Sequence, residues 1–280
     1  MTPPSTAVAI QGEAGSYSHA AALQVHGPDL RLVPRPSFDA LFSAVVEGTA
    51  ARGVVPIENS LAGSVHENYD LLRAHALHVV GETAVRIHHC LVVRPGTAIE
   101  SIRRVASHPV ALAQCRRFFA GHPGLVPVPA YDTAGSVKDL MEDRADADAA
   151  IGSALAARLY GGEVVAEGIE DHPENHTRFL VVAPEPVPLN GEGVFKTSLV
   201  LTLPNVPGSL HRALGAFACR GLDLTKIESR PLEGRPWEYA FYLDVLGDPR
   251  SEVAGALEEL RAFAADVRVL GSYQARESAT

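Results

Sequence analysis

Residues 184–194, Pro-Glu-Pro-Val-Pro-Leu-Asn-Gly-Glu-Gly-Val, decide how this 280-residue chain is organised. Three prolines and two glycines in eleven residues leave no room for a helix or a central strand. The stretch is therefore predicted to join two domains, 1–183 and 195–280. After it, hydrophobic patterning predicts strand 197–203, helix 209–219, strands 222–229 and 238–246, helix 252–264 and strand 267–270. That βαββαβ order describes a ferredoxin-like sandwich. Before it, apolar runs at 7–10, 30–33, 54–57, 105–106, 125–128, 149–151 and 179–182 alternate with helical patterns at 18–25, 38–46, 65–72, 110–119, 136–141 and 154–160. Such alternation predicts an α/β unit of parallel sheets, with ligands outside the carboxyl ends of the strands. Residues 274–280 read as a frayed tail.

Composition narrows the function classes. Hydrophobic residues at 46% and charged residues at 20% are ordinary for a globular protein and exclude disorder. A net charge of −9, with no basic stripe, argues against nucleic acid as a partner. No apolar run reaches about 18 residues, so no membrane partner is expected. The N-terminus, Met-Thr-Pro-Pro-Ser-Thr, lacks a positive segment followed by an apolar one, which predicts a cytoplasmic protein. Cys90, Cys115 and Cys219 cannot all pair and have no metal-ligand spacing.

Four predicted strand ends open into loops rich in Gly, Ser, Asn or Thr: 12–18, 56–65, 107–109 and 131–134. Free backbone N–H groups and the helix dipole favour an anion there. Helix capping explains any one such loop; four together point to a small anionic ligand in a cleft. Glu58-Asn59 follows a buried strand, where the pair can orient a ligand hydroxyl or form an ion pair or cap. Thr177-Arg178-Phe179 enters the last strand, offering a neutral hydroxyl and a bidentate carboxylate fork, or a surface arginine. Asp171-His-Pro-Glu-Asn-His176 has the composition of a metal site, but Pro173 disrupts the spacing and no further ligand completes it, so no metal is expected. His88-His89 reads as one exposed and one packed strand histidine. The Gly12-Glu-Ala-Gly15 loop lacks dinucleotide-binding spacing.

Taken in order, these motifs resemble the prephenate dehydratases over nearly the whole chain. They are the first loop (12–18), Pro-Ile-Glu-Asn-Ser (56–60) with Gly63 and Val65, Ser-His-Pro-x-Ala-Leu-Ala-Gln-Cys (107–115), Asp-Thr-Ala (132–134), Ala-Ala-Ile-Gly-Ser (149–153) and Asn-x-Thr-Arg-Phe (175–179). The C-terminal part resembles an ACT regulatory domain through Asn205-Val-Pro-Gly-Ser-Leu-His211 and Glu228-Ser-Arg-Pro231. Departures fall at Glu13, Tyr17, Val110, Ser209 and His211. The resemblance implies a two-lobed catalytic domain, like type II periplasmic-binding-protein lobes, joined to the ACT domain.

It also implies the conversion of prephenate to phenylpyruvate without metal or organic cofactor, for phenylalanine biosynthesis. Thr177 would be the essential hydroxyl and Arg178 a carboxylate partner, with Glu58, Asn59, Ser107 and Gln114 completing the catalytic set. Ser16, Tyr17, Ser18, Ser60, Gly63, Thr133 and Phe179 would bind substrate. L-Phenylalanine would be the effector, at Asn205, Pro207, Gly208, Ser209, Leu210, Glu228 and Ser229, in a self-associated dimer or tetramer. Arogenate dehydratase is the alternative with the same chemistry; a non-catalytic small-molecule sensor is the alternative from another class.

Overall fold

A computed structural model describes residues 6–190 and 193–276. Residues 191–192 of the joining stretch, residues 1–5 of the N-terminal reading and residues 277–280 of the expected tail lie outside the described residues. The chain forms two compact units. One comprises residues 1–65 and 83–179, the other 66–82 and 180–280.

Residues of the first unit lie in two sheets. One carries β1 (Ala7–Gln11), β2 (Arg31–Arg35), β3 (Arg52–Asn59), β4 (Gly63–Ser64), β5 (His78–Arg86) and β11 (His176–Ala183), in the order β2-β1-β3-β11-β5 with β4 against β3. β1 runs parallel to both β2 and β3, as the helices α1 (Tyr17–His26) and α2 (Phe38–Val46) between them require. The other sheet, in the order β10-β6-β9-β7-β8, contains β6 (Cys90–Val93), β7 (Arg104–Ser107), β8 (Val126–Pro129), β9 (Ala149–Gly152) and β10 (Glu163–Glu167). Here the all-parallel expectation is corrected: β7 is parallel to β8 and β9, but β6 is antiparallel to β9 and β10.

The chain passes between these sheets twice, at Ile87-His88-His89 and at residues 168–175. The two passes are bonded together: Ile87 N–H donates to Asn175 O (2.7 Å) and Ile169 N–H to His89 O (3.2 Å). The helices of the second sheet are α4 (Pro109–Ala113), α5 (Arg116–Gly121), α6 (Thr133–Met141) and α7 (Ala154–Tyr160). The single helix expected over 110–119 is split. Asp171 accepts from the N–H groups of Arg116 (3.2 Å) and Arg117 (2.8 Å), starting a new helix there and leaving Gln114 at the break. Ser16, Ser37, Asp132 and Ser153 cap α1, α2, α6 and α7 through their side chains.

The second unit contains β12 (Phe195–Thr202), α8 (Ser209–Ala218), β13 (Leu224–Pro231), β14 (Tyr239–Leu246), α9 (Glu252–Arg261) and β15 (Asp266–Gln274), the expected βαββαβ order. Its sheet is antiparallel, in the order β13-β14-β12-β15. One face buries Leu199, Leu201, Leu243 and Val245 against Ala213, Phe217, Val253 and Leu260 of the helices, each large side chain contributing about 1.5–3 kcal/mol. A segment distant in sequence joins this unit: α3 (His66–Ala74) and the first half of β5. Tyr242 Oη donates to Tyr69 O (2.9 Å), Arg230 pairs with Asp70 (2.7 Å) and Lys196 with Glu82 (2.7 Å).

Candidate active site

The first unit encloses a cavity of about 490 Å³. Three helix N-termini reach its lining: Ser16, Tyr17 and Ser18 of α1, His108 and Val110 of α4, and Asp132 and Thr133 of α6. Helix N-termini favour anions, although caps already take some of these N–H groups: Asp132 Oδ1 accepts from Gly135 (2.6 Å) and His108 Nδ1 from Val110 (3.3 Å). Asn59, Gly63, Gln114, Thr177 and Phe179 complete much of the rest.

Thr177 lies on β11 and is 9% exposed. Its Oγ1 accepts a hydrogen bond from Asn59 Nδ2 at 2.9 Å. Asn59 is itself fixed: Nδ2 also donates to Asn175 Oδ1 (2.8 Å), and Oδ1 accepts from Leu61 N–H (3.0 Å) and Ala62 N–H (2.8 Å). Gln114 Oε1 meets His89 Nε2 at 3.0 Å, and His89 Nδ1 meets Tyr17 Oη at 2.9 Å. Burial pushes the Tyr17 phenol well above its usual range and pulls the His89 imidazole below 6.5. Burial also raises the Asp132 carboxyl above its usual value, against the two backbone N–H groups that cap onto it.

Sequence-predicted residues thus fall into two groups. Asn59, Gln114, Thr177, Ser16, Tyr17, Ser18, Gly63, Thr133 and Phe179 line the cavity. Arg178, Glu58, Ser107 and Ser60 do not. Arg178 alternates to the other face of β11, because Thr177 and Phe179 on either side of it face the cavity. Ser107 is fully buried and donates to Ile151 O (2.7 Å). Ser60 Oγ donates to Glu174 O (3.0 Å), and Glu58 pairs in register with Ser64.

Sequence reading missed His89, Asp132 and Tyr131 as lining residues. His89 is the packed member of its pair, at 1% exposure, but packing against the cleft cannot be told from packing in a core by residue type. Among the described residues, no cluster of His, Cys, Asp and Glu is placed to hold a metal, and no helix is long and apolar enough to cross a membrane.

In the second unit, Asn205, Pro207, Gly208, Ser209 and Leu210 lie where β12 opens into α8. Gly208 is the N-cap, at φ +86°. Glu228 and Ser229 lie on the edge strand β13, separated from β12 by β14. Within one copy the two parts of the expected effector set are not brought together.

Residues 8–187 match the family model for prephenate dehydratase, and residues 197–264 match that for the ACT domain. The chain belongs to the prephenate dehydratase family. It is a lyase of that family, with a C-terminal ACT domain. Arogenate dehydratase/prephenate dehydratase 2 of Arabidopsis thaliana, a chloroplastic protein, is 45% identical over 95% of this chain and 72% of its own length. Prephenate dehydratase from Arthrobacter aurescens, solved in complex with L-Phe, superposes with a TM-score of 0.89 at 36% identity, covering 96% of this chain and 90% of that one. GqqA, described as a novel type of quorum quenching acylase, superposes at 0.88 with 38% identity over 97% of this chain and 98% of its own.

These relatives correct one expectation. Arabidopsis family members at 45% and 41% identity are chloroplastic, so the expected cytoplasmic location is withdrawn.

Proposed function

We propose that this chain removes CO₂ and hydroxide from prephenate to give phenylpyruvate, and that it responds to L-phenylalanine through residues 195–280. The observation that carries the first part is the direction of one hydrogen bond. Thr177 Oγ1 accepts from Asn59, so its own hydrogen is available to the cavity.

In this reading the C–C bond to the departing carboxylate supplies the electron pair that expels the ring hydroxyl, and aromatisation drives the step. Thr177 donates a hydrogen bond to that leaving oxygen. The helix N-termini at Ser16–Ser18, His108–Val110 and Asp132–Thr133 hold the carboxylates, because Arg178 lies on the opposite face of its strand. Ser107 and Ser60 support the site from outside the cavity, through their bonds to Ile151 O and Glu174 O.

Phenylalanine binding is supported by the ACT domain and by the L-Phe complex of the Arthrobacter aurescens relative. The separation of Asn205–Leu210 from Glu228 and Ser229 favours an effector site completed by a second copy. Size measurement with and without phenylalanine tests that. Turnover of prephenate and arogenate side by side tests the substrate. The reading stands if kcat/KM for prephenate exceeds that for arogenate, and yields to arogenate dehydratase if the order is reversed.

A further inference from the structure

The cavity has to hold a dianion, yet none of its lining residues is lysine or arginine. Only His89 and His108 among them can become cations near neutral pH. His108 Nδ1 already accepts the Val110 N–H at 3.3 Å, capping α4. His89 differs: it is 1% exposed and engaged at both ring nitrogens.

Counting hydrogens makes that engagement informative. Tyr17 Oη has one hydrogen and two acceptors in reach, His88 O at 2.8 Å and His89 Nδ1 at 2.9 Å. With that hydrogen on His88 O, the contacts of His89 with Tyr17 Oη and with Gln114 Oε1 (3.0 Å) are both filled when both ring nitrogens carry a hydrogen. A neutral ring fills both only by drawing the Tyr17 hydrogen away from His88 O or by turning the Gln114 amide over.

The surroundings act on the ring in both directions. Glu170, with its side chain 2% exposed, accepts from His89 N–H at 2.9 Å and favours a proton on the ring. That carboxylate is shared with His88 (3.2 Å) and Arg86 (3.7 Å). A charged His88 and burial itself oppose the ring proton, and burial is the larger influence. The neighbouring thiols add no charge, since burial holds Cys90 at about 11 and Cys115 at about 12.

We propose that His89 takes up a proton as the substrate dianion enters, making the Tyr17–His89–Gln114 array the cation that the cleft otherwise lacks. This rests on the reading of the cavity as a prephenate site. His89 is then a positioning residue. Its Nε2–H holds Gln114 Oε1, which turns the Gln114 amide hydrogens towards the cavity.

The test is the pH dependence of prephenate turnover by the full chain, with the uncatalysed rate subtracted. In the wild type, kcat/KM should fall about tenfold per pH unit above the pKa of free His89, while kcat stays level to higher pH, because kcat reports the complex. In His89→Gln the falling limb should vanish, with kcat/KM at pH 6 lower by about tenfold or more. Tyr17→Phe keeps the ring but removes the Nδ1 partner, and should move the limb to lower pH. A flat wild-type kcat/KM from pH 6 to 8, or a limb unchanged in both variants, overturns the proposal. Absence of prephenate turnover at every pH overturns the functional reading first, and this inference with it.

Discussion

Asn59 Nδ2 donates to Thr177 Oγ1 at 2.9 Å across 118 positions of sequence. The bond joins the end of β3 to the start of β11. It sets the direction of the hydroxyl hydrogen that the proposed chemistry uses. Asn59 is held in turn by the 59–62 turn, whose two N–H groups its carbonyl accepts.

Replacing Thr177 by alanine should therefore lower kcat by about 10²–10⁴-fold with KM little changed. Thr177→Ser, which keeps the hydroxyl, should recover most of that loss. Near wild-type kcat in the alanine variant would remove Thr177 from the mechanism.

Asn59→Asp tests the donor role. The carboxylate still accepts from Leu61 and Ala62 N–H but no longer donates to Asn175 Oδ1 or His176 O, so stability should fall by about 1–3 kcal/mol. It cannot donate to Thr177, however, so kcat should fall about 10²-fold. Denaturation midpoint and kcat measured on the same preparation check both halves.

Gly15 sits at φ +88°, and a Cβ there would lie 2.6 Å from the Ala156 Cα. Ser153 Oγ also donates to Gly15 O at 2.6 Å. Both the conformation and the close approach require glycine, so Gly15→Ala should cost about 1–3 kcal/mol from backbone strain alone. Urea unfolding would show it; an unchanged midpoint would contradict the packing of the first loop on α7.

The Asp132 carboxyl is raised by burial while it caps α6 through Gly135 N–H (2.6 Å). A carboxyl raised in the folded state binds its proton more tightly there, so it lowers stability as pH climbs through its unfolded value, near 3.9, to its folded one. Asparagine is also a good N-cap and carries no charge. Asp132→Asn should therefore gain stability relative to wild type between pH 3 and pH 7, as thermal melts at both ends would show. A difference that stays constant, or shrinks, contradicts the burial.

Cys90 and Cys115 are buried, with thiols held near 11 and 12, whereas Cys219 is exposed. A thiol reagent at pH 8 should modify one cysteine in the native protein and all three in denaturant. Peptide mapping should find that one label at position 219.

Local chemistry made much of this legible in advance. The helix at 38–46 was set by its apolar spacing, with the Ser37 cap seen in the structure, and the βαββαβ order by its alternating patterns. Asn59 and Thr177 could be marked because polar residues at strand ends repeat a recognisable motif, and Gln114, at the end of α4, through the family motif at 107–115. The split between α4 and α5 could not, because it depends on Asp171, more than fifty residues further on. Nor could the inclusion of α3 in the C-terminal unit, whose contacts to Tyr242 and Arg230 bridge 160 positions or more.

What the sequence alone determined was the family's set of motifs and most of the helices, both readable over short distances; β5 and β10 had no strand predicted for them. Tertiary structure decided which residues share the cavity. It turned Arg178 away from it by strand alternation, sank Ser107 into the core, and drew in His89 from the segment that passes between the two sheets. Spacing along a chain governs which face a side chain takes within one element. Which elements meet depends on crossovers and long-range pairing, and those are settled only when the sheets close.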